Sequence, residues 1–366
     1  MRQSSYNIES ASVTGLDEPE DSKKPDNTAF KQQRLPAWQP ILTPKSVLPT
    51  FFIISFIFIP IGAVLFTTSD GVREDFVDYT HCTNSLVPNE TCASLRENRT
   101  RMNEPCTCVV NITLNTPMTG NIYMYYGLNN FFQNHRRYVK SRDDNQLVGT
   151  HVTNTSISKD CTPYRTDTVN GYQAPIAPCG AIANSFFNDS FTLQQEDGNT
   201  VNYLTTGISW YTDHTVKFNN PFPSNNLTAA FSTYTKPKFW NRYVQDLDTS
   251  NINNNGYKNE ALEVWMRTAA FPKFRKLYGR LVNTNLPSGT YSLKINYNYP
   301  VTAFGGRKRF IISTTSWMGG KNNFLGIAYV IVFISCFILL VNLFKHFRCS
   351  TFPNEVLAVA SITWEI

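Results

Sequence analysis

Two uncharged stretches constrain this chain more than any other feature. From Ser46 to Ser69, around "VLPTFFIISFIFIPIGAVLF", 24 consecutive residues carry no charge. From Phe324 to Phe344, "FLGIAYVIVFISCFILLVNLF", 21 more do the same, and Lys345 closes the run. A helix crossing the hydrocarbon core needs about 20 apolar residues, so each stretch is long enough to span. The sequence predicts transmembrane helices over 46–67 and 324–344. Pro49 and Pro60 fall in the first, where a neighbouring helix satisfies the freed carbonyls. That stretch starts too far from Met1, and lacks the short apolar region and cleavage site, to be a removable signal peptide.

Between the spans lies a loop of some 256 residues, 68–323. Five Lys/Arg flank the spans on the terminal side and five on the loop side. Positive charge therefore does not set the orientation, and so long a loop largely escapes that rule. Cysteines break the tie. Six of the eight lie in the loop (Cys82, Cys92, Cys106, Cys108, Cys161 and Cys179), and an even number there predicts disulfides in an oxidising lumen. Six N-x-[ST] sequons also lie in the loop, at Asn89, Asn98, Asn111, Asn154, Asn188 and Asn226, and none lies outside it. Both termini are expected in the cytosol, with 68–323 lumenal or extracellular. A nucleic-acid partner is excluded for a segment on that side.

The formal charge of +6 sits wholly in residues 67–323, where 25 Lys/Arg face 19 Asp/Glu. No long block of like charge marks a polyanion site. Residues 1–26 read as a disordered cytosolic tail, and 345–366 as a second cytosolic tail. The segment 27–45, "NTAFKQQRLPAWQPILTPK", is too apolar for a free tail and too proline-rich for a helix. It is expected to lie along the cytosolic membrane face or on a partner, with Trp38 at the headgroup level.

The loop reads as strands. "YSLKINYNYPV" alternates cleanly, with Tyr291, Leu293, Ile295, Tyr297, Tyr299 and Val301 on one face. "VVNITL", "NIYMYYGL" and "RFIISTTSW" are further β-rich runs, separated by Asn/Pro/Gly-rich connections. These predict an antiparallel β-sandwich with long connections and short helices, held partly by disulfides. One helix is expected where Leu128, Phe131, Phe132, His135, Tyr138 and Val139 recur at i, i+3, i+4, i+7, i+10 and i+11. A second candidate is "EVWMRTAAFPKFRKLYGRL", interrupted by Pro272.

Signals for chemistry are poor. There is no nucleophile elbow, no H-E-x-x-H and no phosphate-binding G-x-x-x-x-G-K-[ST]. His81, His135, His151 and His214 lack metal-ligand spacing, and "CTC" in an oxidising compartment reads as disulfide chemistry. "DLDTSNINNNGYKNE" lacks the bidentate Glu of a calcium loop, since Leu262 stands there. Neither a metal nor a cofactor is expected. Arg307, Lys308 and Arg309 read as a solvated strand end or a run that meets phosphates or an acidic partner.

Six blocks in order, "PDNTAFKQQRLPAWQPIL", "NIYMYYGLNNFFQNHRRYVKSRDDNQL", "PIAPCGAIANSFFNDS", "VWMRTAAFPKFRKLY", "YSLKINYNYPV" and "SWMGGKNNFLGIAY", resemble the signature of the cell division control protein 50 family. Members of that family are accessory β-subunits of phospholipid-flipping type IV P-type ATPases. The resemblance runs from residue 25 to about 330 and implies pairing of Cys82 with Cys108, Cys92 with Cys106 and Cys161 with Cys179. It implies glycans at Asn111 and Asn188, whereas Lys294 stands where a family sequon is expected. It also implies a heterodimer with the ATPase in which this chain is non-catalytic. The chain would escort its partner from the endoplasmic reticulum to the Golgi, endosomes or plasma membrane and stay bound as aminophospholipid moves to the cytosolic leaflet. Phe131, Phe132, Arg136, Arg137 and Tyr138 are the expected partner-binding or ectodomain-ordering residues, because aromatic and Arg side chains anchor interfaces. A two-span ligand-gated ion-channel subunit shares the plan. It needs polar or small residues along a pore face, and the second span offers only Ser335, Cys336 and Asn342.

Overall fold

In the computed structural model, residues 26–36, 44–169 and 171–351 are described. Most of the predicted tail and the anchor Trp38 lie outside them. Two long helices bracket the chain, Pro44–Asp70 and Phe324–Thr351. At about 1.5 Å per residue, either is long enough to cross a bilayer. Only 11% of each apolar window is buried within the protein, so these side chains face outward, as lipid-solvated helices do. Pro49 and Pro60 do not interrupt the first helix.

Where the two helices meet, small residues let the backbones approach. A Cβ on Gly326 would sit 2.9 Å from the Phe66 Cα, and one on Gly62 would sit 3.1 Å from the Tyr329 Cβ. Phe58 meets Tyr329 edge-on at 5.0 Å. The Ser69 hydroxyl donates to the Asn323 side-chain oxygen at 2.6 Å and accepts the Asn322 N–H at 2.8 Å. Two compact units are distinguishable, Ser55–Ser335 and the chain outside those bounds. The first holds the entire domain between the spans.

The domain between the spans is an antiparallel β-sandwich. Among the described residues its nine strands are β1 (Glu74–Asp78), β2 (Thr107–Leu114), β3 (Met118–Asn129), β4 (Thr166–Val169), β5 (Tyr172–Pro175), β6 (Ser190–Gln194), β7 (Phe274–Leu286), β8 (Gly289–Asn296) and β9 (Arg307–Thr314). One sheet runs β1-β9-β3-β7 and the other β2-β8-β6, while β4 and β5 form a separate hairpin. Period-2 alternation supplies the facing sides. Ile122, Met124, Tyr126 and Leu128 of β3 and Phe310 and Ile312 of β9 point inward, against Phe191 and Leu193 of β6 and Tyr291, Leu293 and Ile295 of β8. The sheets meet where the Phe191 ring lies 4.8 Å from Tyr278 and 5.1 Å from Phe310.

Disulfides join Cys82 to Cys108, Cys92 to Cys106 and Cys161 to Cys179. The last closes the base of the β4–β5 hairpin. The Cys82, Cys92 and Cys108 sulfurs cluster within 4.8 Å, but all three are consumed in disulfides and offer no thiolate to a metal.

Both helix expectations need correction. Leu128 belongs to β3, paired with Phe274 on one side and Lys308 on the other. Asn130 then turns the chain at φ 61°. Only Arg136–Lys140 is helical, followed by Asp144–Leu147, whose first turn is capped by Asp143. Long-range ladder bonds on both edges of β3 outweigh a local helical pattern. In the second stretch the helix is Glu260–Met266, and from Phe274 onward the chain is β7.

Candidate partner-binding surface

The aromatic-basic stretch after β3 divides into a core half and a surface half. The Phe131 N–H donates to the Pro272 carbonyl, which turns the ring inward. There it meets Phe304 at 5.8 Å, Trp265 at 5.9 Å, Tyr138 at 6.1 Å and Phe274 at 6.2 Å, mostly edge to face. The Tyr138 hydroxyl pairs with the Ser185 hydroxyl at 2.8 Å, and burial pushes its pKa up to about 12. Phe131 and Tyr138 are therefore packed into the domain between the spans.

Phe132 is 56% exposed, and Arg136 and Arg137 are exposed with no ion pair among the described residues. The Asn134 side chain donates to the Ala270 carbonyl at 3.0 Å, which brings the segment 270–272 alongside. Phe271, 74% exposed there, was missed in the sequence, although "AAFPKF" marks it as an aromatic beside a chain-breaking proline. Phe132, Arg136 and Arg137 are thus exposed on this stretch and Phe271 on the segment bonded to it.

A second feature is a groove of about 430 Å³ on the outer side of the four-stranded sheet, lined by Phe76, Gly127, Arg275, Arg307 and Arg309 among others. Arg275 pairs with Glu74 at 2.5 Å and lies 4.9 Å over the Tyr125 ring. Arg309 lies 5.2 Å over Phe76. Both arrangements are stacked cations on aromatic faces.

Strand alternation splits the basic run beside it. Arg307 and Arg309 point outward, but Lys308 is wholly buried. Its Nζ donates to Asp189 Oδ2 at 2.6 Å and to the Tyr299 carbonyl at 2.7 Å, and lies 3.1 Å from the Tyr297 ring centroid. Burial pulls the Lys308 pKa down to about 8, against the upward pull of the Asp189 carboxylate. Asp189 accepts further from the Tyr79 hydroxyl and from the Asn298 and Tyr299 N–H groups. This knot of polar groups joins β9 to the residues just after β1, just before β6 and just after β8 through the core. It corrects the reading of the whole run as a solvated strand end.

The profile of the LEM3 (ligand-effect modulator 3) family / CDC50 family matches residues 65–351. Cell cycle control protein 50A of Bos taurus is 52% identical over 333 residues, covering 87% of each chain. Cell cycle control protein 50B of Homo sapiens is 45% identical over 343 residues, 88% of this chain and 94% of that one. ALA-interacting subunit 3 of Arabidopsis thaliana is 41% identical over 326 residues, 87% of this chain and 84% of the relative. The chain belongs to the CDC50 family.

A CDC50-family chain is a two-span membrane protein, and the two bracketing helices supply the spans. The six sequons of this member differ in accessibility. Asn89, Asn98, Asn111, Asn188 and Asn226 are exposed, and Asn154 is half-buried with its amide against the Gln173 carbonyl. Asn226 also caps the short helix Leu227–Ala230 through its side-chain oxygen. The polar turn after residue 246 engages its own acid, since Asp248 accepts from Ser250, Asn251 and Asn254.

Proposed function

We propose that this protein is the non-catalytic accessory subunit of a type IV P-type ATPase. Its partner moves aminophospholipids to the cytosolic leaflet. The observation that carries this reading is the family match, at 52% identity to one relative, on a chain whose two span windows are only 11% buried within its own fold. The Arabidopsis relative is itself named an interacting subunit. Outward-facing spans fit lipid on one side and a partner's transmembrane helices on another.

On this reading both termini are cytosolic and residues 68–323 are lumenal, where disulfides persist. The chain accompanies the ATPase from the endoplasmic reticulum through the Golgi and endosomes to the plasma membrane. Phe132, Phe271, Arg136 and Arg137 contact the ATPase's lumenal loops, while Phe131 and Tyr138 hold the ectodomain that presents them.

The test is purification of the tagged protein in mild detergent, with identification of what accompanies it. A type IV P-type ATPase is the expected companion, lost when Arg136 and Arg137 are both changed to Ala while the ectodomain keeps its melting temperature. A homotrimer without an ATPase would sink the proposal and favour the channel reading.

A further inference from the structure

We propose that the cleft beside Asn188 is a carbohydrate subsite that holds the innermost sugar of an N-glycan carried by Asn188 itself. The inference rests on the lumenal placement of the ectodomain and on no other part of the functional reading. The cleft is about 490 Å³ and includes Asn188 in its wall. Phe186, Phe239 and Trp240 supply its aromatic sides, and Asn241 and Arg242 supply polar groups. Asp248, Ser250, Asn254 and Asn259 also line it, so the wall is mainly polar with an aromatic side, a make-up that suits a hydroxyl-rich ligand. In sugar recognition the ring faces take the C–H side of a pyranose, and the amides and guanidinium take its hydroxyl and acetamido groups.

Two features make the cleft a site for this sugar and not an incidental hollow. First, the sequon is rigid everywhere except at the atom that takes the sugar. The Asn188 carbonyl accepts from the Asn298 side chain at 3.1 Å, Asp189 is locked into the buried knot with Lys308, and the Ser190 hydroxyl accepts from Asn296 at 2.8 Å. The Asn188 side chain is exposed and makes no hydrogen bond among the described residues. A sugar attached there starts from a fixed point at the cleft wall, which removes most of the ordering cost of seating it. Second, the cleft's outer wall has unspent binding capacity. Phe239 is 64% exposed, although its backbone N–H is held by the Asn184 side chain at 3.3 Å. Among the described residues only one of the Arg242 donors is engaged, with the Leu247 carbonyl at 3.5 Å. The neighbouring Trp240 ring is fixed from behind by its indole N–H, which donates to the Ala183 carbonyl at 2.7 Å.

Attachment is the ordinary lumenal transfer from a lipid-pyrophosphate donor. The sugar C1 bonds to the Asn188 Nδ2, that nitrogen loses a proton, and the lipid pyrophosphate leaves. By contrast Asn111 stands on β2, paired with Ser292 of β8. Its side chain is exposed on the sheet surface, and it does not line the cleft.

The experiment uses the full chain from animal cells in detergent, treated with peptide N-glycosidase while folded. Release at the Asn188 and Asn111 peptides is followed by mass spectrometry. Release at Asn188 is expected to be slower by about tenfold or more, the ratio that about 1.4 kcal/mol of sugar–cleft contact produces. Phe239→Ala should bring the two rates together, and because that ring is largely exposed its loss spares the core. Asn241→Ala is a second, milder variant expected to close part of the gap. Equal release rates in the folded wild type overturn the proposal, as does an Asn188 left unmodified while Asn111 is modified. If none of the six sequons carries sugar, the lumenal placement falls and the proposal falls with it. Sugar at Asn188 that is protected while no ATPase co-purifies would support this inference and count only against the proposed partner.

Discussion

Lys308 shows how a single residue reverses a reading of composition. In the run Arg307-Lys308-Arg309 its neighbours are outward cations, yet alternation in β9 sends Lys308 into the core against Asp189. Changing Lys308 to Met keeps the volume and leaves a buried carboxylate without its cation. Breaking a buried pair in this way costs about 3–5 kcal/mol, read as a large fall in melting temperature and in the yield of folded protein. An unchanged melting temperature would show that Asp189 is held by its hydroxyl and backbone donors alone. Glu260 gives a pH-dependent counterpart. Burial pushes its pKa up, but N–H groups of Ser209, Gly207 and Ile208 win and hold it below the usual carboxylate value of 4.5. In the unfolded chain the carboxyl takes up its proton first. Glu260 therefore contributes its full stabilisation above 4.5 and loses it as pH falls through the lower folded value. Neighbouring Glu263 is shifted upward by burial and opposes this slope, so the comparison is with Glu260→Gln. The variant should melt lower than wild type at neutral pH, with the gap narrowing as pH drops below 4.5. A gap that stays constant down to acid pH would rule out the carboxylate as its source.

At the scale of elements, the helix pair depends on glycine at the crossing. A side chain at Gly326 meets the Phe66 backbone at 2.9 Å, which cannot rotate away, so Gly326→Leu must separate the helices. A Cys pair replacing Gly62 and Tyr329 should oxidise readily in the wild-type background and several-fold less in Gly326→Leu. Equal cross-linking in both would mean that the crossing tolerates bulk. The spans were legible because about 20 uncharged residues have few other uses. β8 was legible because Tyr291, Leu293 and Ile295 alternate with polar residues and one face is buried. The misread element was the stretch after β3. Leu128 satisfies a helical spacing and a strand spacing equally, and only the partners Phe274 and Lys308, over 140 residues away, select the strand. Likewise Phe131 and Phe132 are alike in sequence, and their opposite fates follow from the left-handed turn at Asn130 and the bond to Pro272. Local pattern carries no information about either.

For the whole molecule, the buried apolar cluster begins at Tyr79 and ends at Ile312. No residue of either spanning helix belongs to it. The domain between the spans therefore contains its own driving force for folding, and a secreted fragment of residues 71–321 should melt as one cooperative unit. Its disulfides close separations of 26, 14 and 18 residues. In the chain-entropy account each loop of that size is worth about 3 kcal/mol, so the three together contribute ~9 kcal/mol. A domain's net stability is about 5–15 kcal/mol. Reduction should then remove most of the margin, and the fragment treated with reductant should lose its melting transition or show it many degrees lower. If the reduced fragment melts like the oxidised one, packing of the two sheets suffices and the cysteines serve another purpose. The same fragment separates folding from assembly. Without the spans it presents Phe132, Phe271, Arg136 and Arg137 on an intact fold but has no helices to lie beside a partner. Retention of an ATPase by the fragment alone would place the binding energy in the ectodomain surface, and loss of it would place that energy in the membrane.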